Sequence, residues 1–257
     1  SFNPSKDFIL TDDGNKFMFN PPIGSELPVD GFEDVDSSDF LTGALNPSAE
    51  IIIDKNSKRL QKLEPFKEWN KKDAKNLRIL LKAEGKCTTD HVSPAGPWLK
   101  YRGHLENISQ NMYSGALNAY TQSTGEAINT DTKEKGDIYE VAKYYSSNSI
   151  DWLAVADENY GEGSSREHAA MEPRFMGCKI VLAKSFARIA QTNLKKQGIL
   201  PLIFQDKSDY EKIEAFDTIS TINLNEFGPK NNIDLSLNKP DGSTYIIKTI
   251  HTFSENQ

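Results

Sequence analysis

The pattern of apolar and polar positions along the chain changes near residue 76. From there on, four short apolar runs of strand length appear, at 77–85, 151–156, 178–183 and 199–204. Runs of this length that are bounded by turn residues predict buried strands. Because helical patterns separate the later runs, the order strand–helix–strand–helix–strand predicts an α/β fold with parallel strands.

Three helices are predicted between and beside these strands. Residues 138–148, "IYEVAKYYSSN", place their apolar side chains on one face. A second, short helix is expected to begin near Ser165 and to be limited by Pro173. The third helix runs from Ser185, its expected N-cap, to Gly198, its expected left-handed end.

The two ends of the chain have patterns of their own. Residues 1–75 are rich in Pro, Gly, Asp and Ser and lack sustained periodicity, which predicts an extended interdomain linker ahead of a domain over 76–257. Short strand-like pieces alternate with turns over 213–253, so an antiparallel section is expected there.

Composition and charge narrow the class of partner. The 257 residues carry a formal charge of −7, which disfavours general binding to nucleic acid, although a local basic face stays possible. No run approaches the roughly 18 apolar residues of a membrane span, so no membrane partner is expected. The two cysteines, Cys87 and Cys178, lie far apart and form no C-x-x-C, which predicts buried or idle thiols and no metal site.

The stretch "DENYGEGSSREH" (157–168) follows the second apolar run, where α/β proteins place ligands. It lacks the lysine of a P-loop, the third glycine of a dinucleotide fingerprint and the G-x-S-x-G of a nucleophile elbow.

Two compatible interpretations of this stretch remain. Ser164 and Glu167 have the spacing of a helix-capping box. The two glycines, the helix start and Arg166 together favour a site that binds an anion, such as a carboxylate. A serine hydroxyl held among such donors can be stabilised as an alkoxide and act as a base.

A second loop, "KCTTDHVSPAGPWLKYRGHLENIS" (86–109), offers Asp90, His91, Arg102 and His104. Its prolines and glycines forbid a long helix. The alternative to a functional loop is a surface loop with an ordinary ion pair. The four histidines of the chain have no metal-ligand spacing, so no metal site is predicted from them.

These two loops, together with "KSFARI", "TNLKKQG" and "HTF", resemble the C-terminal swivel domain of aconitate hydratases of the mitochondrial type. The resemblance covers nearly the whole chain. It implies a layered β/β/α fold, like that of the isopropylmalate isomerase small subunits, and the conversion of citrate to isocitrate through cis-aconitate. It also implies a place in the mitochondrial matrix.

The resemblance assigns roles to individual residues. Ser164 would be the general base, and Asp90 would have an electrostatic or orienting role. Arg102, Ser165 and Arg166 would bind substrate carboxylates. The residues expected to support the site are His91, Glu167 and His168.

The resemblance also implies a [4Fe–4S] cluster, whose iron supplies a Lewis acid for the departing hydroxyl. Three cysteines of preceding domains hold that cluster, and this chain lacks them, so those N-terminal domains are the expected partner and the chain alone is expected to be inactive. Ala190 stands where the family usually has histidine. The chain also stops short of the family's usual terminal helix, so we expect a fragment.

Two alternatives stay open. One is a hydro-lyase of the same superfamily that acts on homoaconitate or isopropylmalate. The other is a non-catalytic module of an aconitase paralogue that binds a protein or a nucleic acid. The cysteine pattern upstream of residue 1 discriminates the enzymes from the binding module.

Overall fold

The chain divides into two compact units, Ser1–Ile51 and Ile52–Gln257. The computed structural model describes residues 3, 6–20, 24, 46, 48–66, 68–229 and 231–255. In the first unit, strands β1 (Ile9–Leu10) and β2 (Lys16–Phe17) pair antiparallel. Part of the predicted linker over residues 1–75, including residues 25–45, lies outside the described residues.

The predicted domain boundary at residue 75 stays a prediction. In the structure, residues 52–75 belong to the second unit. Asp73 attaches this segment. Its carboxylate accepts hydrogen bonds from the amide of Leu224 at 2.8 Å and from the hydroxyl of Thr221 at 2.9 Å.

Most strands of the second unit form one sheet. The described strands of this unit are β3 (Leu77–Ala83), β4 (Leu117–Asn118), β5 (Ser123–Thr124), β6 (Glu126–Ile128), β7 (Lys135–Asp137), β8 (Trp152–Ala156), β9 (Cys178–Ala183), β10 (Leu200–Phe204), β11 (Thr218–Ile222), β12 (Asp234–Asn238) and β13 (Thr244–Ile250). Strands β6 and β7 form a separate two-stranded sheet. Seven of them follow the order β3-β8-β9-β10-β13-β12-β11, and β11 pairs back onto β3. The sheet therefore closes into a barrel.

The barrel has a parallel and an antiparallel half. Strands β3, β8, β9 and β10 pair parallel, whereas β13, β12 and β11 pair antiparallel. The parallel strands are covered on both faces, which explains their nearly continuous apolar runs. In β12 only Leu235 and Leu237 are buried, so this strand faces a single core.

Five α-helices and four 3₁₀ segments accompany the described strands. The α-helices are α1 (Thr89–Val92), α2 (Leu105–Ile108), α3 (Ile138–Ser147), α4 (His168–Phe175) and α5 (Arg188–Lys196). Ala142, Ala170 and Leu194 share one core with the outer faces of the parallel strands, and the barrel interior forms the other core. The layering confirms the predicted α/β swivel fold with a partly parallel sheet. None of the helices within the described ranges is long and apolar enough to cross a membrane.

Two predicted helix starts are wrong. Helix α4 begins at His168, not near Ser165, and Pro173 lies inside it. The helix continues past this proline because the amide of Met176 bonds to the carbonyl of Glu172 at 3.0 Å. Helix α5 begins at Arg188 with Ala187 as its N-cap.

Ser185 makes other contacts instead of capping α5. Its hydroxyl donates to Glu158 at 2.6 Å and accepts from the amide of Asn159 at 2.7 Å. It therefore holds the start of the glycine-containing loop.

Candidate active site

Two loops leave the same edge of the sheet and are bonded to each other. The loop at 86–104 follows β3 and the loop at 157–167 follows β8, and these two strands are parallel neighbours. The amide of Gly161 donates to the carbonyl of Cys87 at 2.7 Å, and the amide of Thr89 donates to the carbonyl of Glu162 at 2.9 Å. The carboxyl edge of a parallel sheet, where ligands usually bind, thus carries both predicted loops.

The two glycines of the second loop are required by close packing. Gly161 has a φ of +75°, and a Cβ added there would lie 2.3 Å from the Cβ of Ala190. Gly163 has a φ of +116°, and a Cβ there would lie 3.1 Å from the hydroxyl of Thr89. Both residues adopt left-handed conformations that favour glycine. They let the loop approach helix α5 on one side and the first loop on the other.

The predicted capping box is wrong. Glu167 is the N-cap of α4, has helical dihedral angles and makes no side-chain cap. Ser164 and Ser165 are both exposed. Neither hydroxyl bonds to any residue in the described part of the chain, so both are free to contact a ligand.

Arg166 is anchored across the two loops. Its Nη1 donates to the carboxylate of Asp90 at 2.5 Å and to the carbonyl of Ser93 at 3.0 Å. The Asp90 side chain is 65% exposed and that of Arg166 only 20%. A guanidinium has donors on Nε and Nη2 as well. Those two groups bond to no described residue, which leaves a planar pair of donors for a carboxylate.

Arg102 lies next to this cluster through His168. The Nε2 atom of His168 lies 2.9 Å from the carbonyl oxygen of Arg102. Arg102 ends the 3₁₀ segment Gly96–Tyr101, and its side chain is exposed without an acidic partner among the described residues. The first residue of α4 therefore holds the backbone that carries the second candidate carboxylate-binding arginine.

His91 has a local structural contact. Thr88 and His91 form a capping box at the start of α1, in which each side chain bonds to the other residue's backbone amide. Its predicted supporting role stays a prediction; the capping box shows only that His91 helps to hold α1, which carries Asp90.

A buried pair beneath Arg166 was missed by the sequence analysis. The hydroxyl of Ser93 donates to Oε1 of Glu172 at 2.8 Å. Glu172 is fully buried on α4, its Oε2 has no partner among the described residues, and burial raises the pKa of its carboxyl well above the usual value. The available signal was an acidic residue among the apolar positions of a short helix.

The described residues of this chain do not suit an iron–sulfur cluster. Within the described residues, no group of three or more His, Cys, Asp or Glu side chains lies close enough to hold a metal ion. Both cysteines are buried, and burial raises the pKa of each thiol to about 12, away from the thiolate that metals require.

The fold and the joined loops define an α/β swivel domain with a candidate site at its carboxyl edge. Residues 77–207, about half of the chain, match the family described as aconitase C-terminal domain. The chain therefore belongs to the aconitase family and carries its C-terminal domain.

The names of proteins with similar sequences agree with this family assignment. The probable mitochondrial aconitate hydratase of Dictyostelium discoideum is 49% identical over 258 residues, which cover 100% of this chain and 34% of that protein. The mitochondrial aconitate hydratase of Schizosaccharomyces pombe is 47% identical over 100% of this chain and 33% of that protein. The mitochondrial homocitrate dehydratase of Saccharomyces cerevisiae is 49% identical, again over 100% and 33%.

The chain thus spans about a third of the length of the curated relatives it matches. Among solved structures, the 3-isopropylmalate dehydratase (leuD) of Methanocaldococcus jannaschii is similar with a TM-score of 0.41 and 22% identity. That similarity covers 65% of this chain and 76% of the other.

Proposed function

We propose that this chain supplies the base and the carboxylate-binding arginines of a mitochondrial hydro-lyase that interconverts citrate and isocitrate through cis-aconitate. The observation that carries the proposal is the geometry of Arg166. Its Nη1 is anchored by Asp90 and Ser93, while its remaining donors and the neighbouring hydroxyls of Ser164 and Ser165 are free of described partners. An anchored guanidinium with a free donor pair is suited to a substrate carboxylate.

Ser164 is the proposed general base. Dehydration of a hydroxy acid removes a proton from the carbon next to a carboxylate, and hydration returns a proton there. A serine oxygen can take that proton only if nearby donors stabilise its anion. Ser164 lies two residues before Arg166, at the end of a Gly-x-Gly turn with left-handed backbone, and no described residue forms a hydrogen bond with its hydroxyl. Ser165 and Arg166 then bind the carboxylate of the same substrate.

Arg102 is the proposed second carboxylate-binding residue. Its guanidinium has no acidic partner among the described residues, and His168 holds its carbonyl. A tricarboxylate carries several negative charges, so more than one arginine is needed to bind it at neutral pH. Asp90 has the role of orienting Arg166.

The [4Fe–4S] cluster and its three cysteines are assigned to the remaining two thirds of the polypeptide. This chain, by itself, is proposed to be inactive. Because the homocitrate dehydratase of S. cerevisiae is as similar as an aconitate hydratase, a homologous substrate with a longer chain is the second candidate.

The test compares Ser164→Ala with Ser165→Ala in the full-length, cluster-loaded enzyme. Loss of a general base lowers kcat by about 100-fold or more, with KM nearly unchanged, whereas Ser165→Ala is expected to act mainly on KM. Ser146→Ala, on the exposed face of α3, is the matched control and should behave like the wild type. If Ser164→Ala keeps most of its kcat while its unfolding curve is normal, the base lies elsewhere.

A further inference from the structure

We propose that Glu172 is a positioning residue for Arg166, acting through Ser93. This inference rests on the proposed role of Arg166 in binding a substrate carboxylate. Glu172 itself touches neither the candidate substrate donors nor Ser164. Its only side-chain partner in the described part of the chain is the hydroxyl of Ser93.

The contacts form a chain from the core to the surface. Oε1 of Glu172 accepts from the Ser93 hydroxyl at 2.8 Å, and the Ser93 carbonyl accepts from Nη1 of Arg166 at 3.0 Å. Ser93 is 3% exposed and its amide bonds to the carbonyl of Thr89 at 2.9 Å, so it is held at three points. The orientation of the Arg166 fork therefore depends on where Glu172 holds Ser93.

Stability alone does not account for this carboxyl group. Glu172 is 0% exposed, and its Oε2 has no partner within the described residues. A buried polar atom without a hydrogen bond costs free energy, and well-packed apolar residues often replace buried charged groups without loss. A role in positioning Ser93 explains why a carboxyl group is present here, whereas packing does not explain it.

The group of this anchor that contacts Arg166 is uncharged, since it is the carbonyl of Ser93. Burial raises the pKa of the Glu172 carboxyl well above its usual value, which favours the protonated form. Asp90 is then the only described carboxylate that pairs with Arg166. A second ionised acid beneath the guanidinium would offset the positive charge that a substrate carboxylate needs. Glutamine, which is neutral and nearly isosteric, should therefore replace Glu172.

Kinetics of the full-length, cluster-loaded enzyme test the inference. Glu172→Leu and Ser93→Ala are expected to raise KM about 10-fold, equivalent to about 1.4 kcal/mol, and the double variant should be no worse than either single variant. Glu172→Gln should stay within about twofold of the wild type, since it keeps an acceptor for Ser93. Thr249→Val is the matched control, because it removes another buried hydroxyl hydrogen bond, to Ile233, away from the site.

Stability measurements separate positioning from a structural role. We expect Glu172→Leu to unfold at the same or a higher urea concentration than the wild type while its KM is raised. The inference is overturned if Glu172→Gln is as impaired as Glu172→Leu, if the single effects add in the double variant, or if KM stays unchanged. It is also overturned if Thr249→Val raises KM equally.

A readout on the 257-residue chain does not depend on activity. The ¹⁵N signals of arginine side chains, with Arg166 assigned by Arg166→Lys, report whether Nη1 is restrained. Restraint should persist in Glu172→Gln and decrease in Glu172→Leu; equal restraint in both overturns the inference. If this result holds but Ser164→Ala retains its kcat, the proposed base is wrong and the positioning role stands.

Discussion

Arg166 donates to the carboxylate of Asp90, although 76 positions separate the two residues in the sequence. The contact exists because β3 and β8 are parallel neighbours, so the loops that follow them meet at one edge. Asp90 is mostly exposed and Arg166 is mostly covered. The ion pair therefore joins a surface carboxylate to a guanidinium that is also held by the carbonyl of the buried Ser93.

Asp90→Asn should affect function more than stability. An exposed ion pair contributes at most about 1 kcal/mol, and asparagine can still accept a hydrogen bond from Nη1. We expect the free energy of unfolding to change by less than about 1 kcal/mol, while kcat/KM of the full-length enzyme falls at least about 10-fold because Arg166 loses its orienting charge. Glu126→Gln, which removes the exposed pair with Lys135 at 3.9 Å, is the control. Equal effects of both variants on kcat/KM would contradict the role given to Asp90.

Gly161→Ala should destabilise the fold by about 2 kcal/mol or more, because a left-handed φ and a clash with Ala190 add up. Gly242→Ala is the matched control, since Gly242 has a φ of +87° and open space around it. That variant should lose only about 1 kcal/mol, the conformational part. Ala190→Gly should cost less stability in the Gly161→Ala background than in the wild type, because it removes this clash. Urea unfolding checks this, and equal losses at the two glycines would show that the packing contact is unimportant.

The Glu172 carboxyl predicts a pH-dependent stability. Its pKa is raised in the folded state above the unfolded value of about 4.3, so folding takes up a proton between these two pKa values. The wild type should therefore lose stability relative to Glu172→Gln as pH rises above about 4.3, by about 1.4 kcal/mol per pH unit up to the folded pKa. Urea titrations of both chains at pH 5 and pH 6 measure the divergence. Parallel pH profiles would mean that Glu172 is ionised in the folded chain.

Cys87 and Cys178 should be unreactive in the folded chain. Both are buried, and a thiol pKa of about 12 leaves only about one thiolate in ten thousand at pH 8. We expect no reaction with Ellman's reagent over minutes, and two reacting thiols in guanidinium chloride. Ser146→Cys, on an exposed helix face, supplies a reactive control. Rapid labelling of a native cysteine would show that the core opens locally.

The sequence predicted the parallel strands well, because burial on both faces requires a nearly uninterrupted apolar run, such as 152–156. It predicted the helix starts less well. Ser185 has the identity of an N-cap, yet its hydroxyl bonds to Glu158 and Asn159, which are 27 and 26 positions away. Local propensity cannot report such a long-range partner, so the choice between two acceptable roles was decided by tertiary structure.

The sequence predicted which residues form the candidate site, but not the contacts between them. Asp90 and Arg166 were both selected from their loops, whereas their pairing depends on strand order, which periodicity does not encode. Glu167 shows the opposite failure. Its capping-box spacing is correct, but after the left-handed turn at Gly161 and Gly163 the helix begins at His168, with Glu167 itself as the N-cap. Glu172 was overlooked, since a single acid in a short helix is usually solvated.

The closure of β11 onto β3 has a consequence for synthesis on the ribosome. Leu77 pairs with Ile219 and Arg78 with Thr218. The first barrel strand, β3, therefore cannot complete its pairing until β11 has been translated, about 140 residues later. Until β11, β12 and β13 have emerged, one edge of β3 near Leu77 and the interior faces of the parallel strands have no cover. Such late, non-local pairing slows folding and exposes nascent chains to aggregation. A released product ending before residue 218 is therefore expected to bind chaperones, whereas a released product ending after residue 250 can complete its barrel.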